Sequence, residues 1–290
     1  MKTAVGAVGA VALSKGFYNT TGYSVRLNRR RITIENLPRG FSGLKIAFLS
    51  DFHSSSLVPV GTIRRAAELI MRGAPDLPDV ILLGGDFVTG TNEVGAQKTA
   101  VSPTVQRYIK ECVEALMPLK APMGIYGVLG NHDFWCGREA VRIICGEFSE
   151  RLGVVWLRNS SVKLQRGGDA VDLMGIDDYW ESGPGFEGAC RGLDPGGVKI
   201  LLSHNPDVNH DIDAFRKRVD LVLSGHTHGG QVVLPFIGAP FMPSLFGQKY
   251  RLGLVADGAR QTFITSGVGV NFAPVRYNCP AEVALIELAG

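Results

Sequence analysis

Short apolar runs punctuate the chain from Leu44 onward, each closed by polar or turn-forming residues. Residues 44–50 (LKIAFLS) are nearly all apolar and end in polar positions, the pattern of a strand covered on both faces. VILLGG (80–85), IYGVLG (125–130), VKILLS (198–203) and LVLSG (221–225) follow the same pattern. Between them, apolar residues recur at helical spacing in 61–72, 104–117 and 138–151. Gly73 and Pro75 stop the first of these helices, and Pro118 stops the second. Asn205-Pro206-Asp207 opens another, with Asn as the cap and Pro at the first helical position. Further short strands are predicted at 154–157, 161–166, 170–176, 261–266 and 283–288. Strand and helix alternate in the first half, and strands dominate the second. That order predicts an α/β fold whose two halves share one core.

Composition changes this picture little. With 290 residues, 45% of them apolar, the chain buries a full core, so a disordered chain and a disulfide-stapled mini-protein are excluded. Charge changes it more. Residues 1–45 hold eight Lys/Arg and one acid, Glu35, so the rest of a chain of net charge +3 sums to −4. A basic segment ahead of a mildly acidic body suggests an anionic surface as neighbour, most simply a membrane; a solvated arm is the alternative. Residues 3–13 (TAVGAVGAVAL) are small and apolar but well short of the ~20 residues that a spanning helix needs. They suit a signal-peptide core, the remnant of an anchor, an interfacial helix or a helix packed on the domain. Arg29-Arg30-Arg31 precedes an alternating Ile32-Thr33-Ile34-Glu35, a strand pattern and not the apolar core of an export signal. Residues 1–43 are therefore set apart from a domain at 44–290. Five cysteines without a CxxC pair point to free thiols.

The chemistry lies at the carboxyl ends of the apolar strands. One ends in Ser50-Asp51-Phe52-His53, the next in Gly84-Gly85-Asp86, the third in Gly130-Asn131-His132-Asp133. Later strands end in Ser203-His204 and in Gly225-His226-Thr227-His228. In open α/β sheets, ligand sites form at these ends. Carboxylates converging there would repel, and neutral imidazoles beside them would lack partners. A pair of divalent cations resolves both problems. Oxygen and nitrogen donors without a thiolate suit manganese, iron or zinc, and manganese is the expected ion. Five of the six histidines lie in these motifs; only His210 does not.

The order D-x-H, GD, GNHD, H, GHTH resembles the calcineurin-like metallophosphoesterase superfamily. Gly225 to Gln231 (GHTHGGQ) and the segment Arg276 to Glu282 are similar to a bacterial branch of membrane-associated phosphodiesterases. The resemblance spans about residues 44–290 and implies a four-layer α/β/β/α sandwich. It also implies one metal on Asp51, His53, Asp86 and His228, and a second on Asp86, Asn131, His204 and His226. Asp86 would bridge, His132 would be the catalytic imidazole, and Asp133 would orient it. Such a centre would activate a water between the ions for in-line attack on phosphorus, with His132 protonating the leaving oxygen.

Protein phosphatases of this superfamily resemble GDxVDRG and GNHE, whereas this chain has GGDFVTG and GNHD, with no arginine at the matching place. The expected substrate is a small-molecule or lipid phosphoester: a diester or pyrophosphate, lipid-linked or a nucleotide sugar, similar to UDP-2,3-diacylglucosamine. A broad small-nucleotide phosphodiesterase is the alternative, and a scaffold that lost its chemistry is a third reading. The net −4 of the body disfavours nucleic acid as a partner. Val232 to Phe246 holds ten apolar residues broken by proline and glycine, the composition of an apolar lip beside the cleft that would face a lipid or membrane surface. Arg276 is a candidate phosphate contact.

Overall fold

The computed structural model describes residues 24–72, 77–90, 101–182, 185–214 and 218–290. Residues 3–13, read as a signal or anchor remnant, lie outside the described residues, as do the helix stops Gly73 and Pro75.

Two six-stranded sheets form the centre of the molecule. The first runs β1 (Arg26–Thr33), β12 (Glu282–Ala289), β2 (Lys45–Leu49), β3 (Val80–Leu83), β4 (Ile125–Gly127), β5 (Val154–Trp156). The second runs β10 (Gly253–Asp257), β11 (Arg260–Ile264), β9 (Leu221–Ser224), β8 (Lys199–Leu202), β7 (Asp169–Gly175), β6 (Ser160–Arg166). The strands that lead into the motifs, β2 to β4 and β8 to β9, are parallel to their neighbours in this series.

Alternate residues of each central strand face opposite layers. Ile46 and Phe48 of β2 join Ile200, Leu202, Leu221 and Leu223 of the second sheet in one core between the sheets. Ala47 and Leu49 face outward onto α1 (Val60–Met71), α2 (Pro103–Leu116) and α4 (Arg138–Leu152) through Ile63, Ile109 and Ile144. On the far side, Leu201 and Val222 pack beneath α5 (Phe186–Ala189) and α6 (Val208–Ala214) through Phe186 and Ile212. The layers are thus α/β/β/α, and burial on both faces explains the unbroken apolar runs.

One boundary differs from the sequence reading. Residues 26–33 were set apart from the domain, yet β1 pairs in parallel with β12 along its whole length and forms an edge of the first sheet. Three of its arginines, Arg29, Arg30 and Arg31, are partly or fully exposed there. Charged residues along an exposed edge oppose strand-to-strand association, which accounts for the arginine run without an external partner. The sequence reading also passed over β10 and the short α3 (Asn131–Trp135) that carries the GNHD motif.

Candidate metal centre

The loops after β2, β3, β4, β8 and β9 meet between the tops of the two sheets. Asp51, His53, Asp86, Asn131, His204, His226 and His228 are all buried there. Five of them, Asp51, His53, Asp86, His226 and His228, have left-handed backbone with φ from 46° to 67°. Such residues turn sharply at the strand ends and aim inward, at a local conformational cost. Gly130 and Gly225 permit the crowding: a Cβ on the first would strike the Asp86 carboxylate, and on the second that of Asp51.

Asp86 lies in the middle. Its Oδ2 is 3.3 Å from His53 Nε2 and 3.2 Å from His204 Nε2. On one side, His53 Nε2 is 3.0 Å from His228 Nε2, which is 3.5 Å from Asp51 Oδ1. On the other side, His226 Nδ1 is 2.9 Å from Asn131 Oδ1 and 3.3 Å from His204 Nε2. The outer nitrogens are tied back: His204 Nδ1 donates to the Gly84 carbonyl at 2.8 Å, and His53 Nδ1 lies 3.2 Å from Thr89 Oγ1.

The electrostatics call for positive charge between these groups. Burial raises the Asp51 pKa, and Asp86 raises it further against the pull of His204. Burial would raise Asp86 too, but His204 and His132 hold it well below the usual carboxylate range. Burial opposes charge on His204, yet Asp86 overrides it and pushes the imidazole up to about 10. Burial, with His204 or His53 beside them, drives His226 and His228 well below the normal imidazole value. The cluster by itself thus holds an imidazolium, His204, against Asp86, with His226 and His228 neutral; these imidazole nitrogens and carboxylate oxygens converge as a donor set that fits divalent cations in place of the proton. Among the described residues Asp51, His53 and His228 form one cluster of possible ligand atoms, Asp51, Asp86 and His204 a second, and His53, Asp86 and His132 a third.

His132 sits beside this set. Its Nδ1 is 2.7 Å from the Gly90 carbonyl and its Nε2 is 2.9 Å from Asn271 Nδ2. Both ring nitrogens have protein partners, as do those of His53 and His204. Burial, opposed by Asp86, lowers its pKa to about 4. Asp133 was expected to orient this ring, and it does not. Its Oδ2 accepts from the amides of Asp86 and Gly130, both at 2.9 Å, and its Oδ1 from those of Phe87 at 2.9 Å and Val88 at 3.3 Å. One carboxylate thus staples the GGD loop to the GNHD loop. Burial and the neighbouring Asp86 push its pKa up to about 8 against these amides.

Arg276, a candidate phosphate contact, is fully buried and is not among the residues that line the cavity. Its guanidinium donates to the carbonyls of Ser266, Gly269 and, at 3.3 Å, His228. A phosphate would have to displace several such bonds, so Arg276 braces the ligand loop from behind.

The cleft opens into a cavity of about 340 Å³ whose lining includes Asp86, Asn131, His132, His226 and His228. Its walls are apolar: Trp135, Trp180, Val232, Pro240, Phe241, Pro243 and Phe272. Among the described residues no Lys or Arg lines it. Trp180 meets the His226 ring edge-on at 4.4 Å, and Trp135 lies 4.4 Å from His132. Trp135 Nε1 donates to Glu181 at 2.6 Å, linking the β7 loop to α3. The lip reaches outward, with Phe236, Ile237, Phe241 and Leu245 exposed, and Phe272 joins it. The sequence reading missed Trp135, Trp180, Gln231 as a side chain with a task, and Asn271. Trp180 follows the carboxyl end of β7, the same signal that marked the other motifs. Asn271 lies in an irregular loop with no local pattern.

Residues 44–230 match the family model described as calcineurin-like phosphoesterase. Phosphodiesterase YaeI of Escherichia coli strain K12 is 34% identical over 248 residues, covering 84% of this chain and 82% of that one. The uncharacterized metallophosphoesterase YkuE of Bacillus subtilis strain 168 is 28% identical, covering 99% and 96%. A transmembrane protein with metallophosphoesterase domain from Danio rerio is 29% identical, covering 89% of this chain and 56% of its own. Among solved structures, phosphopantetheinyl hydrolase of Mycobacterium tuberculosis aligns at a TM-score of 0.48 and 13% identity, covering 83% of this chain and 97% of that one.

Proposed function

The chain belongs to the calcineurin-like phosphoesterase family and is a metal-dependent phosphoester hydrolase, and from that premise we propose a phosphodiesterase whose substrate carries an apolar arm, a lipid-linked phosphoester above all. The observation that carries this reading is the cavity: aromatic and aliphatic walls meet the metal-ligand cluster, and none of the described residues lining them is a Lys or Arg. An apolar group gains from such walls, whereas each further phosphate would bring charge that none of these lining residues meets with a cation. This favours the diester over the pyrophosphate. The phosphodiesterase relative in Escherichia coli supports the same choice. The exposed lip supports a membrane or lipid-aggregate surface as the place where substrate is met, as does the transmembrane description of the Danio rerio relative.

In this reading Asp51, His53, Asp86 and His228 hold one divalent ion, and Asp86, Asn131, His204 and His226 hold the other. Manganese is the proposed metal; iron and zinc suit the same donors. Bound there, the ions polarise phosphoryl oxygens and make water more acidic. The chain's own residues do the rest. Asp133 fixes two ligand loops in mutual register. His132 moves a proton at Nε2, the ring atom on the side away from Gly90. Trp135 and Trp180 shield the reacting groups from bulk water. The test is hydrolysis of bis(p-nitrophenyl) phosphate against p-nitrophenyl phosphate, after chelation and manganese readdition. Metal-dependent turnover should favour the diester. Preference for the monoester, or turnover that survives chelation, would overturn the proposal.

A further inference from the structure

The hydrogen bonds around the cavity limit what its walls can offer a substrate. Outside the ligand cluster and His132, the polar side chains on the described lining are Thr227, Gln231 and Asn271, with the indoles of Trp135 and Trp180. Most of their polar atoms are already engaged within the protein. Thr227 Oγ1 donates to the Arg251 carbonyl at 2.9 Å. Gln231 Oε1 accepts from the Asn271 backbone N–H at 2.8 Å, while Gln231 Nε2 donates to the carbonyls of Asn271 at 2.9 Å and Ala273 at 3.0 Å. Asn271 Oδ1 accepts from the Phe272 amide at 2.9 Å, and its Nδ2 lies 2.9 Å from His132 Nε2. Trp135 Nε1 donates to Glu181 at 2.6 Å. Among the described residues, the Trp180 indole is the one side-chain group on these walls with no such bond. A sugar or nucleobase set against the walls would give up its water and find few protein groups in exchange, which costs affinity.

The apolar surface, by contrast, is built and held. Asp178 Oδ1 accepts from the amides of Trp180 at 2.9 Å and Glu181 at 3.2 Å, so one turn after β7 places both side chains. Glu181 in turn holds Trp135, and Trp180 rests edge-on against His226. Walls fixed before binding lose little freedom when a ligand arrives. Phe241 and Phe272 line the cavity and are still 62% and 78% exposed, so the apolar lining runs out to the surface, where Phe236 and Ile237 are exposed too. A slot that begins at the metal ligands and ends in the open suits a chain, not a compact group. A small quaternary ammonium would gain from the aromatic rings, but Val232, Pro240 and Pro243 offer it no π face.

We propose that this cavity is a subsite for an aliphatic chain esterified directly to the phosphorus, and that Trp180 and Phe241 select that chain against nucleosides, sugars and small cationic alcohols. The inference rests on the phosphodiesterase reading and narrows its substrate class: hydrocarbon begins at the ester oxygen.

The experiment uses the manganese-loaded full chain and p-nitrophenyl phosphodiesters that share one leaving group and differ in the second arm: methyl, butyl, octyl, choline and thymidine 5′-esters, all below the concentration at which the octyl ester aggregates. From methyl to butyl, kcat/KM should rise about threefold to fourfold per methylene, because each one leaves water for the walls, and it should stay higher for octyl. The choline and thymidine esters should not exceed the methyl ester. Trp180→Ala and Phe241→Ala should each lower the octyl-to-methyl ratio by roughly tenfold or more. The ratio is taken within one protein, so a general loss of activity in a variant cancels. Equal rates on methyl and octyl, a best substrate with a choline or thymidine arm, or variants that keep the wild-type ratio would overturn the proposal. Calorimetry with octylphosphonate and methylphosphonate reads the same subsite without turnover, and the octyl compound should bind roughly tenfold tighter or more. A wild-type chain inert toward every diester would sink the phosphodiesterase reading; octylphosphonate that binds no tighter than methylphosphonate would sink the chain subsite.

Discussion

The residues nearest the chemistry are held in conformations that their types rarely adopt. Asp86 has φ 54°, and its side chain serves both halves of the ligand cluster. Alanine there would lose the carboxylate and also strain the backbone, whereas glycine adopts this φ at no steric cost. Asp86→Gly is therefore the cleaner test of the bridging role: metal content by mass spectrometry should fall below one ion per chain. A variant that keeps two ions would refute the bridge. His132→Ala should keep both ions and lose roughly 10²- to 10⁴-fold in turnover, the usual range for an acid–base group. Loss of metal instead would make His132 a ligand. At this scale the sequence was informative about identity. Every candidate ligand follows an apolar run, while its assignment to a metal came from the family resemblance. The sequence was silent about partners: Asp133 lies beside His132 in the chain, yet its oxygens serve four backbone amides.

At the scale of elements, β12 shows how burial tunes stability. Glu282 begins this strand, and its carboxylate accepts from Asn28 Nδ2 at 2.9 Å on β1 and from Thr265 Oγ1 at 3.2 Å beyond β11. Burial raises its pKa above the ordinary 4.5. A carboxyl whose folded pKa is raised contributes fully below its unfolded pKa, and that contribution is lost as pH rises through the folded value. Glu282→Gln mimics the protonated form. Thermal melts should find the variant more stable than wild type at neutral pH, with the gap closing as pH falls below the unfolded value near 4.5. A gap that widens in acid would show that the carboxylate itself stabilises the strand. The boundaries of α1, α2 and α4 were legible because their signals are local, whereas α6 starts at Val208 and not at the predicted Pro206, because Asn205 Oδ1 accepts from the Asp207 amide in a turn ahead of the helix. Ser102 caps α2 by accepting from the Val105 amide at 3.2 Å, and Pro103 takes the first turn. The pairing of β1 was not legible, since its partner lies more than 250 residues away.

For the whole molecule, stacking two sheets brings the ends of five strands together and leaves the segment after the ligand loop on the outside. Phe236 is fully exposed, and Phe241 is 62% exposed with its ring edge-on to Phe272 at 6.0 Å. Full burial of one such side chain is worth about 1.5–3 kcal/mol. If the lip meets lipid, Phe236→Ser with Ile237→Ser, both exposed and outside the cavity lining, should weaken binding to anionic vesicles by roughly a hundredfold in sedimentation, with turnover of soluble diesters unchanged. Unchanged vesicle binding would remove the membrane from the proposal. Among the described residues no helix is long and apolar enough to cross a membrane.

The sequence by itself determined the buried strands and the residue types that end them, while the four layers and the metal assignments came through the family resemblance. Strands covered on both faces are written as unbroken apolar runs, and the residues that end them fall where parallel strands open a cleft. Those are short-range patterns, read from neighbours in the chain. Only the tertiary structure decided which polar groups meet. It turned Arg276 inward onto carbonyls, gave Asp133 to the backbone, placed the arginines of β1 on a sheet edge, and brought Asn271 to His132 across 139 residues. A side chain's role depends on what lies within about 3 Å of it, and in a sheet-on-sheet core those neighbours come from distant parts of the chain.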